Sequence, residues 1–318
     1  MNEFEFIKNI KKKYGLSHVG DDCAVLPRDP ETDLLISTDL LVEDIDFRIE
    51  WITPELLGHK ALAVSLSDIA AMGGRAEFAL VSVGIPEPLW SSKFLDRFYE
   101  GWHELAGSFD VVLAGGDISR TPNKLVIDSI AGGSSARGRS ILRTGANVGD
   151  AIYVTGPLGA AAAGLRLLNE GKRLRPDAPG PETNLIERQL KPRPRLEAGR
   201  ALAATGHVTS MLDLSDGLSS DLAQICRASS VGAVINADDL PFEAAVLDVA
   251  GSVDAMLDLV LNGGEDFELL FTADASLFSE TVVDGLFRIG EITSETGLIE
   301  LVREGKREVL PPGGYRHF

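Results

Sequence analysis

Six short acidic motifs in this chain stand at the ends of apolar runs, beside glycine, serine or threonine. They are GDD at 20–22, STD at 37–39, LSD at 66–68, GGD at 115–117, DLSD at 213–216 and GGED at 263–266. A carboxylate at the end of a buried element needs a partner, and few lysines or arginines lie near these motifs in the sequence. Divalent cations are therefore the expected partners, and oxygen-only sites favour Mg²⁺ or Ca²⁺ over zinc.

The overall composition is typical of a folded, acidic protein. Its 318 residues suffice for two ordinary domains, and 44% apolar and 25% charged residues are normal shares for a globular chain. The formal net charge of −18 argues against nucleic acid or an anionic membrane as the main partner. A nucleotide ligand remains compatible with this charge, because bound metal ions invert the local sign of a carboxylate cluster.

The sequence predicts neither a membrane protein nor a secreted one. No apolar run reaches the ~18 residues that span a bilayer, and residues 1–15 lack the hydrophobic region of a signal peptide. Cys23 and Cys226 form no CxxC motif, so we expect reduced thiols in the cytoplasm, most simply as small core residues.

Hydrophobic periodicity predicts alternating strands and helices, and hence the α/β (α+β) fold class. In the first half we expect strands at 34–42, 76–85, 111–116 and 124–131, and helices at 54–72 and 91–108. The helix at 54–72 begins with Pro54 and ends at a glycine pair, which are typical start and stop residues.

The second half repeats the strand–glycine–helix pattern. We expect a strand at 151–156, a helix at about 217–229, and buried elements at 257–264 and 267–273. The stretch 171–195 is dense in Pro, Arg, Lys and Gly and is predicted to be a mobile loop. A domain boundary is expected near 137–150.

Several of the carboxylates would repel one another if they converged. Asp39 follows an apolar strand and precedes a loop that holds Glu43, Asp44 and Asp46. Such a group cannot ionise fully without cations. Because Mg²⁺ uses one or two carboxylates plus phosphate oxygens, many aspartates indicate several ions bound to a polyphosphate. For Asp68 alone, bonding to nearby backbone donors is an equally good interpretation.

The glycine motifs predict phosphate contacts. The GGD motif at 115–117 puts flexible backbone beside a carboxylate, so that N–H groups can approach a phosphate closely. Residues 215–217 precede a helix and act either as a phosphate-binding N-terminus or as a plain N-cap. Arg143 is either a phosphate clamp or a surface arginine. The sequence contains no P-loop, no kinase-type GxGxxG, no paired-histidine zinc motif and no GxSxG.

In this order, the motifs resemble the thiamine-monophosphate kinase family, in the ATP-binding superfamily of aminoimidazole ribonucleotide synthetase. The match runs through GDDCAV, STDLLVEDIDF, HKALAVSLSDIAAMGG, LAGGDIS, RTGANVGDAIYVTG, LDLSDGLSSDL, NGGEDFELLFT and the terminal GYRHF. The resemblance implies an N-terminal domain, 1–137, that binds ATP and magnesium and pairs through its mixed sheet in a homodimer. It also implies a C-terminal α/β domain, 138–318, that covers the active-site cleft.

The same resemblance implies roles for individual residues. The positions that match Mg²⁺ ligands are Asp22, Ser37, Thr38, Asp39, Asp68, Asp117, Asp213 and Asp216. The positions that match ATP contacts are Tyr99, Gly116, Asp117, Arg143 and Ser215. The positions on the thiamine side are Asp46, Glu265 and Phe318. Asp46 departs from the family pattern, since many relatives have histidine there, although an acid suits the cationic thiazolium.

The implied reaction is transfer of a phosphoryl group from ATP to thiamine phosphate, assisted by several Mg²⁺ ions and without a catalytic general base. Two alternatives remain. One is another superfamily enzyme, such as selenophosphate synthetase or the hydrogenase-maturation dehydratase, although this chain lacks their glycine-rich N-terminal cysteine and cysteine-bearing tail. The other is a catalytically silent nucleotide- or metal-binding module.

Overall fold

A computed structural model describes residues 3–315 and places them in two mixed β-sheets flanked by helices. The strands of the first sheet are β1 (Ala24–Pro27), β2 (Thr32–Val42), β3 (Arg75–Ile85), β4 (Val112–Arg120) and β5 (Val126–Ala136). They lie in the order β1-β2-β5-β3-β4, with β3 and β4 parallel and the other pairs antiparallel. The first half of β2 alternates between buried and half-buried residues, as a strand does when one face lies on a core.

One helix of the first half is buried almost all round. The helices here are α1 (Glu3–Tyr14), α2 (Pro54–Ala71), α3 (Glu87–Trp90) and α4 (Phe94–Ser108). The Thr53 hydroxyl caps α2 by accepting the backbone N–H of Leu56 at 3.4 Å, and the helix ends just before Gly73, whose φ is +66°. A helix that is apolar all round belongs inside a protein, and α2 lies between the first sheet, α4 and the second half.

The second sheet has seven strands in the order β12-β11-β8-β10-β6-β9-β7, with β8 and β11 parallel. These strands are β6 (Ala151–Val154), β7 (Val208–Asp213), β8 (Gly232–Asn236), β9 (Leu269–Ala273), β10 (Phe287–Thr293), β11 (Ile299–Arg303) and β12 (Lys306–Val309). The helices are α5 (Ala160–Asn169), α6 (Pro181–Leu190), α7 (Leu196–Thr205), α8 (Leu218–Ser229), α9 (Ala244–Ala250) and α10 (Val253–Asn262). None of the helices within 3–315 is both long and apolar enough to cross a bilayer.

The prediction of a mobile loop over 171–195 is wrong, because α6 occupies its second half. Pro181 stands in the first turn of the helix, where its missing N–H costs nothing. Leu185, Ile186 and Leu190 are buried at helical spacing. The proline-rich flanks on both sides concealed this short apolar pattern. The domain boundary at 137/138 stays a prediction; it falls between β5 and β6.

Candidate functional site

Three of the predicted metal ligands meet where the two halves of the chain touch. Asp22 precedes β1, Asp68 lies near the end of α2, and Asp213 ends β7. Each offers a carboxylate oxygen, and these oxygens all lie within 4.8 Å of one another. The Ser37 hydroxyl, on β2, donates a hydrogen bond to Asp68. The convergence therefore draws on three separate elements, α2, β7 and β2, and on the segment before β1.

Burial and mutual repulsion raise the pKa values of these carboxyls. Burial, assisted by the charge of Asp22, raises the pKa of Asp213 to about 7. Burial and the charges of Asp128 and Asp22 raise the pKa of Asp39 to about 6. The pKa of Asp68 lies well above its usual range, because of burial and then the charges of Asp39 and Asp213. Without cations, this group cannot ionise completely near neutral pH.

The oxygen atoms of the cluster fit a hard divalent cation. Oδ2 of Asp22 and Oδ2 of Asp39 are buried and have no hydrogen-bond partner among the described residues. Buried acceptors normally have partners, and each exception needs an explanation. Carboxylate and hydroxyl oxygens are the ligands that Mg²⁺ prefers. The unpaired oxygens therefore support the predicted magnesium site, and the identity of the ion stays a prediction.

Arg143 lies beside the cluster and is held there on two sides. Its Nη2 donates to Asp22 Oδ1 at 2.5 Å, and its Nη1 donates to Gln224 Oε1 at 2.6 Å. Its backbone N–H donates to Asp21 Oδ1 at 2.9 Å. The interpretation as a surface arginine is wrong, since the side chain is 23% exposed and engaged. The expectation that cations are scarce near the acidic motifs also fails here, because the partner comes from a distant segment.

A second acidic group lies on the sheet around β3. Asp128 on β5 and Asp117 on β4 stand opposite Ser82 of β3, one on each side, so their side chains share a face of the sheet. The Thr38 hydroxyl donates a hydrogen bond to Asp128 Oδ1 at 2.7 Å. Asp117 is exposed, and its Oδ1 accepts the backbone N–H of Ile118 at 2.9 Å. Thr38 and Asp117 thus lie outside the three-carboxylate cluster, and their metal role stays a prediction.

Two predicted ATP contacts, Tyr99 and Gly116, are not members of the carboxylate cluster. Tyr99 is half-buried on α4, with its ring centroid 5.4 Å from that of Phe98. Gly116 passes so close to β3 that a Cβ there would lie 2.0 Å from the carbonyl oxygen of Val81. Glycine is therefore required at position 116 by packing, and both ATP contacts stay predictions.

The loop before α8 is tied to the 263–267 loop. The backbone N–H of Glu265 donates to the Ser215 carbonyl at 2.9 Å. The N-cap of α8 is Gly217, with no side-chain cap. The buried Asp221 carboxylate instead accepts the N–H groups of Asp216 at 3.2 Å and Gly217 at 3.0 Å. The interpretation of Ser215 or Asp216 as a plain N-cap is therefore wrong, while their ligand roles stay predictions.

Glu265 is fixed by groups from both halves of the chain. Lys60 of α2 places its Nζ 2.8 Å from Glu265 Oε1. The side-chain amide of Gln189, on α6, donates to Glu265 Oε2. The residue has a φ of +66°, and Phe267 has a φ of +51°. Left-handed backbone at non-glycine residues is uncommon and clusters at functional sites.

Tyr315 lies near three acidic residues of the site. Burial raises its pKa, and the charges of Asp46, Glu265 and Asp216 raise it further. Its backbone N–H donates to the Asp216 carbonyl at 3.0 Å. The C-terminal segment therefore returns to Asp46 and Glu265, two of the residues expected to contact thiamine. Phe318, the last of those contacts, lies outside the described residues.

Both halves of the chain match known family models. Residues 20–134 match the model "AIR synthase related protein, N-terminal domain", and residues 147–310 match the corresponding C-terminal domain. The thiamine-monophosphate kinase of Bacillus subtilis (strain 168) is 34% identical, over 100% of both chains. That of Escherichia coli (strain K12) is 37% identical, over 94% of this chain and 91% of the other. The chain belongs to the thiamine-monophosphate kinase family.

Solved structures agree with this membership. A structure described as AaThiL complexed with AMPPCP and TMP is 31% identical and has a TM-score of 0.88, covering 100% of this chain and 97% of that one. The hydrogenase maturation protein HypE in a complex with HypF has a TM-score of 0.74 at 16% identity, which shows a shared fold alone. The predicted family and the two-domain α/β fold are confirmed.

Four residues in the region of the site were not predicted from the sequence. They are Lys60, Asp128, Gln189 and Asp221. Two of them carried a usable pattern: Lys60 is a lone cation in an apolar helix, and Asp128 is an acid inside an apolar strand. Gln189 carried none, because it lies in the segment 171–195, whose composition predicts a loop.

Proposed function

We propose that the chain transfers the γ-phosphoryl group of ATP to thiamine phosphate, giving ADP and thiamine diphosphate. Family membership supports the reaction, as does the neighbour that binds AMPPCP, an ATP analogue, together with TMP. The observation that carries the proposal is the convergence of Asp22, Asp68 and Asp213 between the two halves. In the proposed reaction, the phosphates of the two substrates would meet at this cluster.

The acceptor chemistry explains why the site needs no general base. A phosphate monoester has a second pKa near 6, so the acceptor is largely ionised at neutral pH. The nucleophilic oxygen therefore carries no proton that a side chain must remove. The main obstacle is repulsion between two anions, and in-line transfer then depends on positioning and on charge neutralisation.

The carboxylate cluster would hold the metal ions. The proposed Mg²⁺ ligands are Asp22, Ser37, Thr38, Asp39, Asp68, Asp117, Asp213 and Asp216. Bound Mg²⁺ supplies neutralisation of the phosphoryl oxygens and orients the reacting groups. The guanidinium of Arg143 is oriented by hydrogen bonds to Asp22 and Gln224, and it would bind a nucleotide phosphate. The remaining proposed ATP contacts are Tyr99, Gly116, Asp117 and Ser215, and the thiamine contacts are Asp46, Glu265 and Phe318.

We also propose a cytoplasmic homodimer that pairs through the first sheet. Strand β4 is an edge strand, and its side chains Val112 and Ile118 are 63% and 48% exposed. Exposed apolar edge strands are prone to pairing with another chain. Cys23 and Cys226 are both free and buried, as expected in a reducing compartment. A sedimentation-equilibrium mass of a single chain would contradict the dimer.

A coupled assay of ADP release tests the proposed reaction. With ATP and Mg²⁺, ADP should form when thiamine phosphate is added and should not form with thiamine or with buffer alone. ADP formed equally in all three mixtures indicates an ATPase or another superfamily enzyme. No ADP in any mixture supports a silent binding module, and either result contradicts the proposal.

A further inference from the structure

Lys60 is a buried cation whose charge is balanced from the other half of the chain. Its side chain is 2% exposed, and α2 offers no carboxylate three or four residues away. Its Nζ lies 2.8 Å from Glu265 Oε1 and donates to the carbonyl of Gln189 at 3.2 Å. An isolated ammonium is strongly disfavoured in a protein interior. The position of Lys60 therefore depends on the carboxylate of Glu265.

Glu265 is fixed on one side and open on the other. Lys60 binds one of its oxygens, and the Gln189 amide donates to the second. Its backbone is held in a left-handed conformation, with its N–H bonded to the Ser215 carbonyl. The side chain nevertheless remains 29% exposed. A carboxylate oxygen has two lone pairs, so both oxygens can still accept a contact from a ligand.

Another Lys/Arg–Glu pair in the same region shows what a purely structural pair looks like. Arg195 donates to Glu268, whose side chain is 2% exposed and also accepts the Thr155 hydroxyl at 2.7 Å. There the acid is the enclosed partner and the cation is the exposed one. The Lys60 pair has the reverse arrangement, with the cation enclosed and the carboxylate presented to the outside.

We propose that Lys60 is a positioning residue that orients the carboxylate of Glu265 for binding the thiamine moiety. This inference rests on the proposed function, which gives Glu265 that contact. Lys60 is enclosed and does not touch the substrate itself. Because Lys60 belongs to α2 and Gln189 to α6, the contact also joins the two halves of the chain at the acceptor site.

Steady-state kinetics of the full-length enzyme test this role. Lys60→Met keeps a side chain of similar length without its charge, and it should raise the KM for thiamine phosphate about tenfold, the order expected when a supporting contact is lost. The KM for ATP should differ from the wild-type value by less than about twofold, because the substitution weakens the binding of thiamine phosphate only. Lys60→Arg restores the charge and should recover part of the affinity.

A double-mutant cycle separates positioning from general damage. If Lys60 acts through Glu265, Lys60→Met should cause no further rise in KM once Glu265→Gln is present. Lys172→Met is the matched control, because it removes an exposed ion pair between Lys172, which follows α5, and Glu182 of α6, and it should leave both KM values unchanged. If Lys60→Met does not fold, Gln189→Met removes the other contact to Glu265 and should raise the KM for thiamine phosphate alone.

The outcomes distinguish this inference from the proposed function. An active wild type whose KM for thiamine phosphate is unaffected by both Lys60→Met and Gln189→Met overturns the role of Lys60 only. An equal rise in KM in the wild-type and Glu265→Gln backgrounds also overturns it, because Lys60 would then not act through that carboxylate. A wild type that does not phosphorylate thiamine phosphate overturns the proposed function and the inference together.

Discussion

At the scale of single residues, the aspartates of the cluster differ in the partners they already have. Asp22 is paired with Arg143, and Asp68 accepts the hydroxyl of Ser37. Asp22 and Asp39 each keep a buried oxygen that has no hydrogen-bond partner among residues 3–315. Asp22 thus has a cationic partner, but burial still raises its pKa. The group as a whole depends on protons or on a bound cation, and this dependence has a consequence for stability.

Without metal, the protein should become less stable as the pH rises from about 4 to about 7. The pKa of Asp213 is about 7 in the folded chain, against 3.8 for an unperturbed aspartate. Between these values the folded state holds a proton that the unfolded state has released, so the unfolding free energy falls as the pH rises. Asp39, with a pKa of about 6, acts in the same direction. Urea unfolding in EDTA at pH 5 and pH 8 measures the difference.

Asp213→Asn is the control for this pH effect. The amide cannot titrate, so the drop in unfolding free energy between pH 5 and pH 8 should be smaller in the variant than in the wild type. Adding Mg²⁺ at pH 8 should stabilise the wild type by mass action, because the ion binds the folded state. An equal pH dependence in both proteins would contradict the assigned pKa shifts.

At the scale of secondary-structure elements, α2 and α4 cross at two glycines. A Cβ at Gly58 would lie 1.9 Å from the carbonyl oxygen of Phe98, and a Cβ at Gly101 would lie 1.9 Å from that of Glu55. Side chains at these positions would force the two helices apart. Because α2 carries both Asp68 and Lys60, the crossing with α4 helps to fix the positions of these two residues.

Gly101→Ala should therefore destabilise the fold, although alanine is the better helix former. We expect a loss of about 1–3 kcal/mol in the unfolding free energy, the usual cost of overpacking. Gly107→Ala is the matched control on the same helix, because its Cβ would meet no described atom within 4 Å apart from its chain neighbours and the adjacent backbone of its own helix. It should be stabilising by about 0.5–1 kcal/mol. Thermal or urea unfolding of both variants checks the contrast, and equal effects would refute the close-crossing argument.

The elements that sequence reasoning identified correctly are those with a strong period and clear end residues. The predicted helix 54–72 corresponds to α2, because its proline start and glycine stop frame a long apolar run. The predicted strand 76–85 corresponds to β3, because it too is a long apolar run with clear end residues. Helix α6 was missed, since its apolar face is short and its flanks are rich in proline and arginine. In this segment, the composition indicated a loop more strongly than the short apolar period indicated a helix.

At the scale of the whole molecule, the structure brings together three of the carboxylates that the sequence singles out, but their protein partners were not predicted. Asp22, Asp68 and Asp213 converge, while their role as metal ligands, which the family resemblance implies, stays a prediction. The Lys60–Glu265 pair could not be predicted, because each residue lies in a different half of the chain and neither has a local partner. Pairings between the halves depend on packing that no local pattern records.

The central claim is that this cluster supports phosphoryl transfer to thiamine phosphate. Formation of thiamine diphosphate, followed by ³¹P NMR with ATP and saturating Mg²⁺, tests it most directly in the wild type and in Asp213→Asn. The exposed Asp254→Asn serves as the control. We predict one thiamine diphosphate per ADP in the wild type and the control, and a rate at least about 100-fold lower in folded Asp213→Asn, the order lost with one group that stabilises transition-state charge. Near-normal product formation by Asp213→Asn would contradict the account.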